Sequence, residues 1–234
     1  MEKLKRVVIM HRMYYFLLAI KGIILRLRLH LRGAIGWSVR VIGISNVSIG
    51  ANSIVGAGSL FNVNVRDGRV RLKIERNVYV GTNNFISVGD SVTLKEFSMS
   101  SDGCRLICSS HSSEHPMSPI IGNPASCGDS IVIGVNTFLG AGSTVIGNVV
   151  IGHGSIVGAS SFVNFDVPPF SVVVGNPGRV VKRYCFDDKK WTTNVEGIDE
   201  GLVPDETSYL QLLKESGSPL IMPHILKNSI LNSI

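Results

Sequence analysis

A six-residue repeat runs through the middle of this chain and limits its fold more than any other feature. Each unit opens on an aliphatic residue, and its fifth position often holds Ser or Thr. In the longest uninterrupted run, the aliphatic positions are Ile133, Leu139, Val145, Ile151, Val157 and Val163. An amphipathic helix repeats about every 3.6 residues and a half-buried strand every two, so neither explains this period. The period predicts a solenoid of short strands, three strands and about eighteen residues to a coil.

The same repeat assigns an inside and an outside to the solenoid. Earlier units open on Ile49, Val55, Ile74, Val80 and Ile86. We expect the first position to fill a dry core, and the fifth to face inward where only a small side chain fits. Those fifth positions include Ser53, Ser59, Thr137, Ser143, Ser155 and Ser161. Glycine at the second position is expected to permit the backbone geometry of the corner.

A proline-bearing turn and a Gly-Asn-Pro segment follow directly after the last repeat. They read Asp166-Val167-Pro168-Pro169 and Gly175-Asn176-Pro177-Gly178-Arg179. Together with the repeat, this ending resembles the hexapeptide-repeat acyltransferases over residues of about 35–180. The resemblance implies a left-handed parallel β-helix and a homotrimer with active sites between neighbouring prisms; the repeat alone does not give the hand.

The predicted fold class is all-β, a left-handed parallel β-helix with an N-terminal helical segment and a short C-terminal helical tail. We expect a basic apolar segment at 1–33, the β-helix at 34–182 with a protruding loop near 108–128, and a tail at 183–234. A short helix is expected at Glu206–Lys214, with Gly217 near its end. The tail could cap the solenoid, contact a neighbouring subunit or line the acceptor site.

Positive charge is concentrated at the start of the chain. Residues 1–40 hold nine of the 23 Lys and Arg and only one acidic residue. This distribution does not favour a nucleic-acid surface, because the remainder is slightly acidic. Residues 3–32 either pack on the end of the solenoid or lie on an anionic membrane surface. The expected location is cytoplasmic, with peripheral contact at the inner face of the membrane as the second reading.

The four cysteines show no Cys-x-x-Cys spacing. We interpret them as free thiols in a reducing cytosol, and expect no metal. A metal hydratase on the same fold, resembling γ-carbonic anhydrase, would need three converging histidines. His111, His115 and His153 lack the spacing of that family.

Residues 109–119 are polar, contain two prolines and cannot continue the solenoid. The resemblance implies a catalytic histidine in or beside such a loop. Counting forward from the upstream repeats selects His111 as the base. Counting backward from Ile133 selects His115, whose His-Pro pair resembles that of maltose and galactoside acetyltransferases. The backward count crosses a loop of variable length, so His111 is preferred and His115 stays the alternative.

Neutral imidazole suits the chemistry that the resemblance implies. It can take the proton of an acceptor hydroxyl as that hydroxyl attacks a thioester. Coenzyme A is a good leaving group, so no covalent enzyme intermediate is needed. Glu114 is interpreted as a solvated loop charge, and His153 as a surface residue at a regular corner.

The resemblance also implies where acetyl-CoA lies, along the outside of the later coils between subunits. The residues that it selects are Ala141, Gly142, Ser143, Ala159, Ser160, Ser161, Asn164, Phe165, Arg179 and Lys182. Arg179 and Lys182 are expected to meet the phosphates. Phe138 stands where the family often has Trp and is expected to pack against the substrate. A backbone amide near Gly140–Gly142 is expected to stabilise the oxyanion.

The predicted function is acetyl transfer from acetyl-CoA to a sugar hydroxyl, in surface polysaccharide biosynthesis, with a sugar or glycan as the acceptor. N-acetylation of an amino sugar and acetylation of an antibiotic are the enzymatic alternatives. Serine acetyltransferase is disfavoured, because the N-terminal segment is too short for the large helical domain of that family. A non-enzymatic scaffold or glycan-binding subunit remains the alternative of another class.

Overall fold

The computed structural model describes residues 33–36, 38–112 and 117–217. Its short parallel strands wind into a left-handed β-helix with a triangular cross-section. The expected N-terminal helix and the membrane contact of residues 3–32 fall outside the described residues.

Three strands make each coil, as the repeat predicts. The first three coils consist of β1 (Gly33–Ile35), β2 (Arg40–Ile42), β3 (Val47–Ile49), β4 (Ser53–Val55), β5 (Leu60–Val63), β6 (Leu72–Ile74), β7 (Tyr79–Val80), β8 (Phe85–Val88) and β9 (Ser91–Leu94). The later coils contain β10 (Met99–Ser100), β11 (Arg105–Ile107), β14 (Ser130–Ile133), β15 (Phe138–Leu139), β16 (Thr144–Ile146), β17 (Val149–Ile151), β18 (Ile156–Val157), β19 (Phe162–Val163) and β20 (Ser171–Val174).

Strands from successive coils stack into the three walls of the prism. Wall A has the order β1-β4-β7-β10-β15-β18-β20, wall B has β2-β5-β8-β11-β16-β19, and wall C has β3-β6-β9-β14-β17. Repeat positions stack in register, so that Leu139 pairs with Val157 on wall A and Val145 with Val163 on wall B. Every first position therefore lies above the same position of the coil before it.

The core confirms the inside and outside that the repeat assigns. All the aliphatic first positions named above are at most 2% exposed, and the fifth-position Ser and Thr residues at most 1%. The buried hydroxyls join neighbouring coils: Ser53 Oγ donates to the Glu75 carbonyl at 2.6 Å and accepts from the Val78 amide at 3.1 Å. A small polar residue thus fits the fifth position because the next coil satisfies it.

Glycine is needed at the second position for a different reason from the one expected. The φ angles of Gly50, Gly56 and Gly134 lie outside the left-handed region. A Cβ on Gly56 would instead lie 2.5 Å from the Gly81 carbonyl carbon of the next coil. Close stacking of the coils, and not backbone freedom, excludes a side chain here. Asparagine takes several of the left-handed corner positions, as at Asn52 and Asn136.

We expect Gly56→Ala to lower the free energy of unfolding by about 1–3 kcal/mol, because the atom that it meets is backbone and cannot rotate away. Gly122→Ala is the matched control, since its added methyl group meets nothing within 4 Å. Thermal unfolding followed by circular dichroism measures both. Equal melting temperatures for the two variants would contradict the stacking argument.

The solenoid ends where the chain reverses after β20. A turn with a cis Asn176-Pro177 bond leads into β21 (Arg179–Cys185), which pairs antiparallel with β20, and then into β22 (Lys190–Thr192). A 3-10 helix (Glu200–Leu202) and α1 (Glu206–Glu215) follow. Other 3-10 helices occupy Ile44–Asn46 and Ile120–Gly122.

Helix α1 confirms the short helical tail. It is N-capped by Asp205, whose side chain accepts from the amides of Thr207 at 2.9 Å and Ser208 at 3.0 Å. Within the described ranges, no helix has the length and apolar character needed to cross a membrane.

Candidate active site

The segment between β11 and β14 leaves the prism as a ribbon. Strands β12 (Ser110–His111) and β13 (Ala125–Ser126) pair antiparallel, with His111 opposite Ala125. The ribbon starts at the end of wall B and returns to wall C, so it projects from the corner between these walls. This topology places His111 outside the solenoid, on hydrogen-bonded backbone.

The His111 imidazole is exposed, and one ring nitrogen faces the backbone. Its Nδ1 lies 3.5 Å from the Asn123 carbonyl oxygen, a long contact. The ribbon holds this carbonyl in place, because the Ser112 amide donates to Pro124 at 3.0 Å and Asn123 Nδ2 donates to the Ser112 carbonyl at 2.9 Å. When Nδ1 carries the proton and donates to Asn123, the Nε2 lone pair is left to accept a proton.

The alternative base and its neighbour lie outside the described residues. His115 and Glu114 fall in the undescribed segment 113–116. Both therefore stay sequence predictions.

Four of the residues expected to contact the coenzyme lie together on one edge of the prism. Ala141 and Gly142 form the corner between walls A and B in one coil, and Ala159 and Ser160 form it in the next. The Ser160 amide donates to the Ala141 carbonyl at 2.8 Å, which stacks the two corners. This edge, which we call the A–B corner, is a straight run of small residues.

The chain end continues the same edge. The Gly178 amide donates to the Phe162 carbonyl at 2.8 Å, which seats the Asn176-Pro177 turn above the A–B corner. Arg179 follows directly, is exposed and donates to the Gly178 carbonyl at 2.7 Å. Lys182, also exposed, lies farther along β21, opposite Val172 of wall A. A cation therefore stands at the end of the corner.

The remaining residues of that set are placed differently. The side chains of Ser143 and Ser161 face the core and are each 1% exposed, so an exterior ligand could reach only their backbone. Asn164 and Phe165 follow β19 at the corner between walls B and C, away from the A–B corner. Phe165 is partly buried against the core.

The expected oxyanion segment has two of its amides already bound. Gly140 N donates to the Val157 carbonyl at 2.7 Å, and Gly142 N donates to the Asp102 carbonyl at 2.9 Å. Between them, the Ala141 amide has no backbone acceptor within the described part of the chain. Ala141 N is therefore the donor that this segment can offer.

Phe138 points out of wall A into a cavity of about 380 Å³. The lining residues are Asn136, Phe138, Gly154, Ile156, Phe170, Tyr184, Trp191 and Tyr209. Three of them come from the tail, which the repeat does not describe. The sequence reasoning missed these three, and their aromatic character is the one signal that the sequence offered.

His153 is not the surface residue that the sequence suggested. It is 7% exposed, its Nε2 lies 2.9 Å from the Pro204 carbonyl oxygen, and its ring meets the edge of Phe170 at 5.1 Å. The tail covers this corner. Helix α1 is fixed there by Glu206, which accepts from the Val135 amide at 3.1 Å and pairs with Lys95.

Tyr209 of α1 joins the tail to the cavity. Its hydroxyl bonds Asn136 Nδ2 at 2.5 Å, and burial raises the pKa of the phenol. The hydroxyl is therefore a neutral hydrogen-bonding group at ordinary pH.

The thiols and acidic groups show no arrangement that would hold a metal. Cys104 and Cys108 are buried and free, and burial raises the pKa of each. In the ranges that the structure describes, no three His, Cys, Asp or Glu side chains converge as metal ligands would.

Comparisons with known proteins give partial relatives. No family model matches the chain. A Staphylococcus aureus (strain Mu50) protein, provisionally named an acetyltransferase, is 34% identical over 128 residues, which cover 54% of this chain. The chain spans 62% of the length of that relative. Escherichia coli (strain K12) WbbJ, provisionally named a lipopolysaccharide biosynthesis O-acetyl transferase, is 37% identical over 62 residues, covering 26% of this chain and 32% of WbbJ.

Solved structures share the fold. AntD, an N-acyltransferase from Bacillus cereus solved with dTDP and 3-hydroxybutyryl-CoA, matches with a TM-score of 0.57 and 17% identity, over 78% of this chain and 89% of AntD. AntD has also been solved with dTDP-4-amino-4,6-dideoxyglucose and coenzyme A. In its repeat, its fold and its sequence relatives, the chain resembles the hexapeptide-repeat acyltransferases, whose left-handed parallel β-helix it has.

Proposed function

We propose that this protein is an acetyl-CoA-dependent O-acetyltransferase that acts on a sugar hydroxyl, with His111 as general base. The observation that carries the proposal is the exposed imidazole of His111, fixed on a ribbon with Nδ1 toward a backbone carbonyl. That arrangement favours the tautomer with a free Nε2 lone pair. The likeness to proteins named for acetyl transfer, WbbJ among them, supports the same reaction class.

The reaction needs one proton acceptor and one oxyanion donor. The acceptor oxygen attacks the thioester carbonyl while its proton passes to His111 Nε2. A C–O bond forms, and the carbonyl oxygen gains negative charge that the Ala141 amide is placed to stabilise. The C–S bond then breaks, and the departing thiolate takes the proton back from the imidazolium. The products are an acetyl ester and free coenzyme A.

The A–B corner supports the placement of the coenzyme. Its small residues let an extended arm approach the backbone, and Arg179 at its end is an exposed guanidinium suited to a phosphate. AntD, which shares the fold, was solved with coenzyme A. We assign Ala141, Gly142, Ala159 and Ser160 to the pantetheine arm, and Arg179 and Lys182 to the phosphates.

The coenzyme site is tested by calorimetric titration with coenzyme A. We expect saturable binding that Arg179→Ala weakens about tenfold, the loss typical of one charge-assisted hydrogen bond. Arg40→Ala is the matched control, because Arg40 is an exposed arginine of β2 at the opposite end of the prism. Binding unchanged in Arg179→Ala, or weakened equally in Arg40→Ala, would remove the phosphate role of Arg179.

The assembly and location follow the same proposal. We propose a homotrimer, so that a neighbouring prism completes the groove at the A–B corner, in a cytoplasmic enzyme of surface polysaccharide biosynthesis. Peripheral membrane contact through residues 3–32 would bring it to a lipid-linked acceptor.

N-acetylation of an amino sugar is the second candidate, and the likeness to the N-acyltransferase AntD favours it. Product stability separates the two reactions, since mild base hydrolyses an acetyl ester and leaves an acetamide intact. A scaffold would ignore coenzyme A, so the titration above also tests the non-enzymatic alternative.

A further inference from the structure

The cavity in front of Phe138 is a pocket that the tail and wall A build together. Phe138 pairs with Ile156 in register on wall A, while Trp191 of β22 and Tyr184 of β21 stand beside them. Phe138 is 36% exposed and Trp191 39%, so both present ring surface to solvent. We call this cavity the aromatic pocket; its volume of about 380 Å³ is within the range of small-ligand sites.

The lining selects a neutral ligand. Among the described residues around the aromatic pocket there is no Asp, Glu, Lys or Arg. Its polar groups are uncharged: the Asn136 amide, and the hydroxyls of Tyr209 and Tyr184. A phosphate or carboxylate would lose its hydration here without gaining a counter-charge. A ligand with apolar surface and a few hydroxyl groups would lose little.

The angles between the rings select a shape. Trp191 and Tyr184 meet at 75° with centroids 5.6 Å apart, and Phe170 and Tyr209 meet at 71° and 4.8 Å. Such near-perpendicular pairs make a corner, whereas two parallel rings would make a slot for a flat base. A pyranose fits a corner, because its C–H face can pack on one ring while its equatorial hydroxyls point sideways to polar groups.

Gly154 keeps the floor of the aromatic pocket open. It adopts a left-handed φ of 67°, and a Cβ there would lie 2.6 Å from the ring of Phe170. Glycine at this corner thus allows Phe170 to fill the floor.

We propose that the aromatic pocket binds one pyranose ring of a neutral glycan, with Trp191 as its stacking face. That the ring belongs to the acetyl acceptor rests on the function proposed above; the binding itself does not. The proposal gives the C-terminal tail a role in substrate recognition, carried by Tyr184, Trp191 and Tyr209.

Saturation-transfer NMR on the full-length protein, without coenzyme, tests the proposal. The probes are the methyl glycosides of glucose, galactose and N-acetylglucosamine, with adenosine as the flat neutral comparison. We expect saturable transfer to at least one glycoside, with affinity lowered about fivefold to tenfold in Trp191→Ala and partly restored in Trp191→Phe. Phe85→Ala is the matched control, because Phe85 is a partly exposed aromatic residue on wall B.

Three results would overturn the proposal: no saturable transfer to any glycoside, affinity unchanged in Trp191→Ala, or adenosine bound in place of the sugars. Transferase assays separate this failure from failure of the proposed function. Glycoside binding with no acetyl transfer to any acceptor would keep the pocket and remove the enzyme. Acetyl transfer with the acceptor KM unchanged in Trp191→Ala would keep the enzyme and remove the pocket.

Discussion

Replacing His111 with Ala is expected to lower the kcat of acetyl transfer by about 10²- to 10⁴-fold, the usual contribution of a general base. The acceptor alcohol would then attack the thioester with no group to take its proton. Coenzyme A affinity should hold, because the ribbon leaves the prism at the corner between walls B and C, away from the A–B corner. Release of free thiol at saturating acetyl-CoA measures the first quantity, and calorimetric titration the second.

Two variants make this result specific. His115→Ala should retain activity if His111 is the base, and the reverse pattern would move the base to His115. Asn123→Ala removes the side-chain bond to the Ser112 carbonyl but keeps the carbonyl that faces His111 Nδ1. We expect it to act through positioning, lowering kcat by less than His111→Ala does. Full activity in both histidine variants would contradict a loop imidazole as base.

Phe61→Ala is expected to lower the free energy of unfolding by about 3–5 kcal/mol. Phe61 is 0% exposed and is the largest of the fully buried side chains. It stacks in register between Val41 and Ile86 on wall B, within a core that is otherwise aliphatic. The walls are hydrogen-bonded coil to coil, so they cannot collapse into the space that the ring leaves.

The control lies one residue out of phase on the same wall. Phe85 pairs with Leu60, the neighbour of Phe61, and faces outward. We expect Phe85→Ala to change the free energy of unfolding by less than about 1 kcal/mol. Chemical denaturation with linear extrapolation compares the two variants. A similar loss for both would contradict the assignment of the inward face.

The interior of the solenoid could be predicted from the sequence because each coil repeats the same packing. One repeat unit contains the information for the others, and positions such as Ile151 and Ser155 are buried as the pattern requires. The reason for the second-position glycines could not be predicted. It depends on the distance between coils, and a Cβ at Gly134 would lie 2.5 Å from the His153 amide.

The parts of the site outside the repeat were harder to predict, because they depend on contacts between segments distant in sequence. His153 occupies a regular corner position, yet Pro204 and Tyr209 of the tail cover it. Tyr184 and Trp191 reach wall A only because β21 reverses and β22 pairs with it. No local pattern encodes where the tail folds back.

Incubation of the full-length protein with acetyl-CoA and the panel of methyl glycosides, followed by mass spectrometry, tests the central claim most directly. The account predicts an acetylated glycoside in amounts equal to the free thiol, with an ester that mild base removes. A base-stable acetamide formed only on amino sugars would contradict O-acetylation. No thiol release, together with no binding of coenzyme A, would contradict the acyltransferase proposal itself.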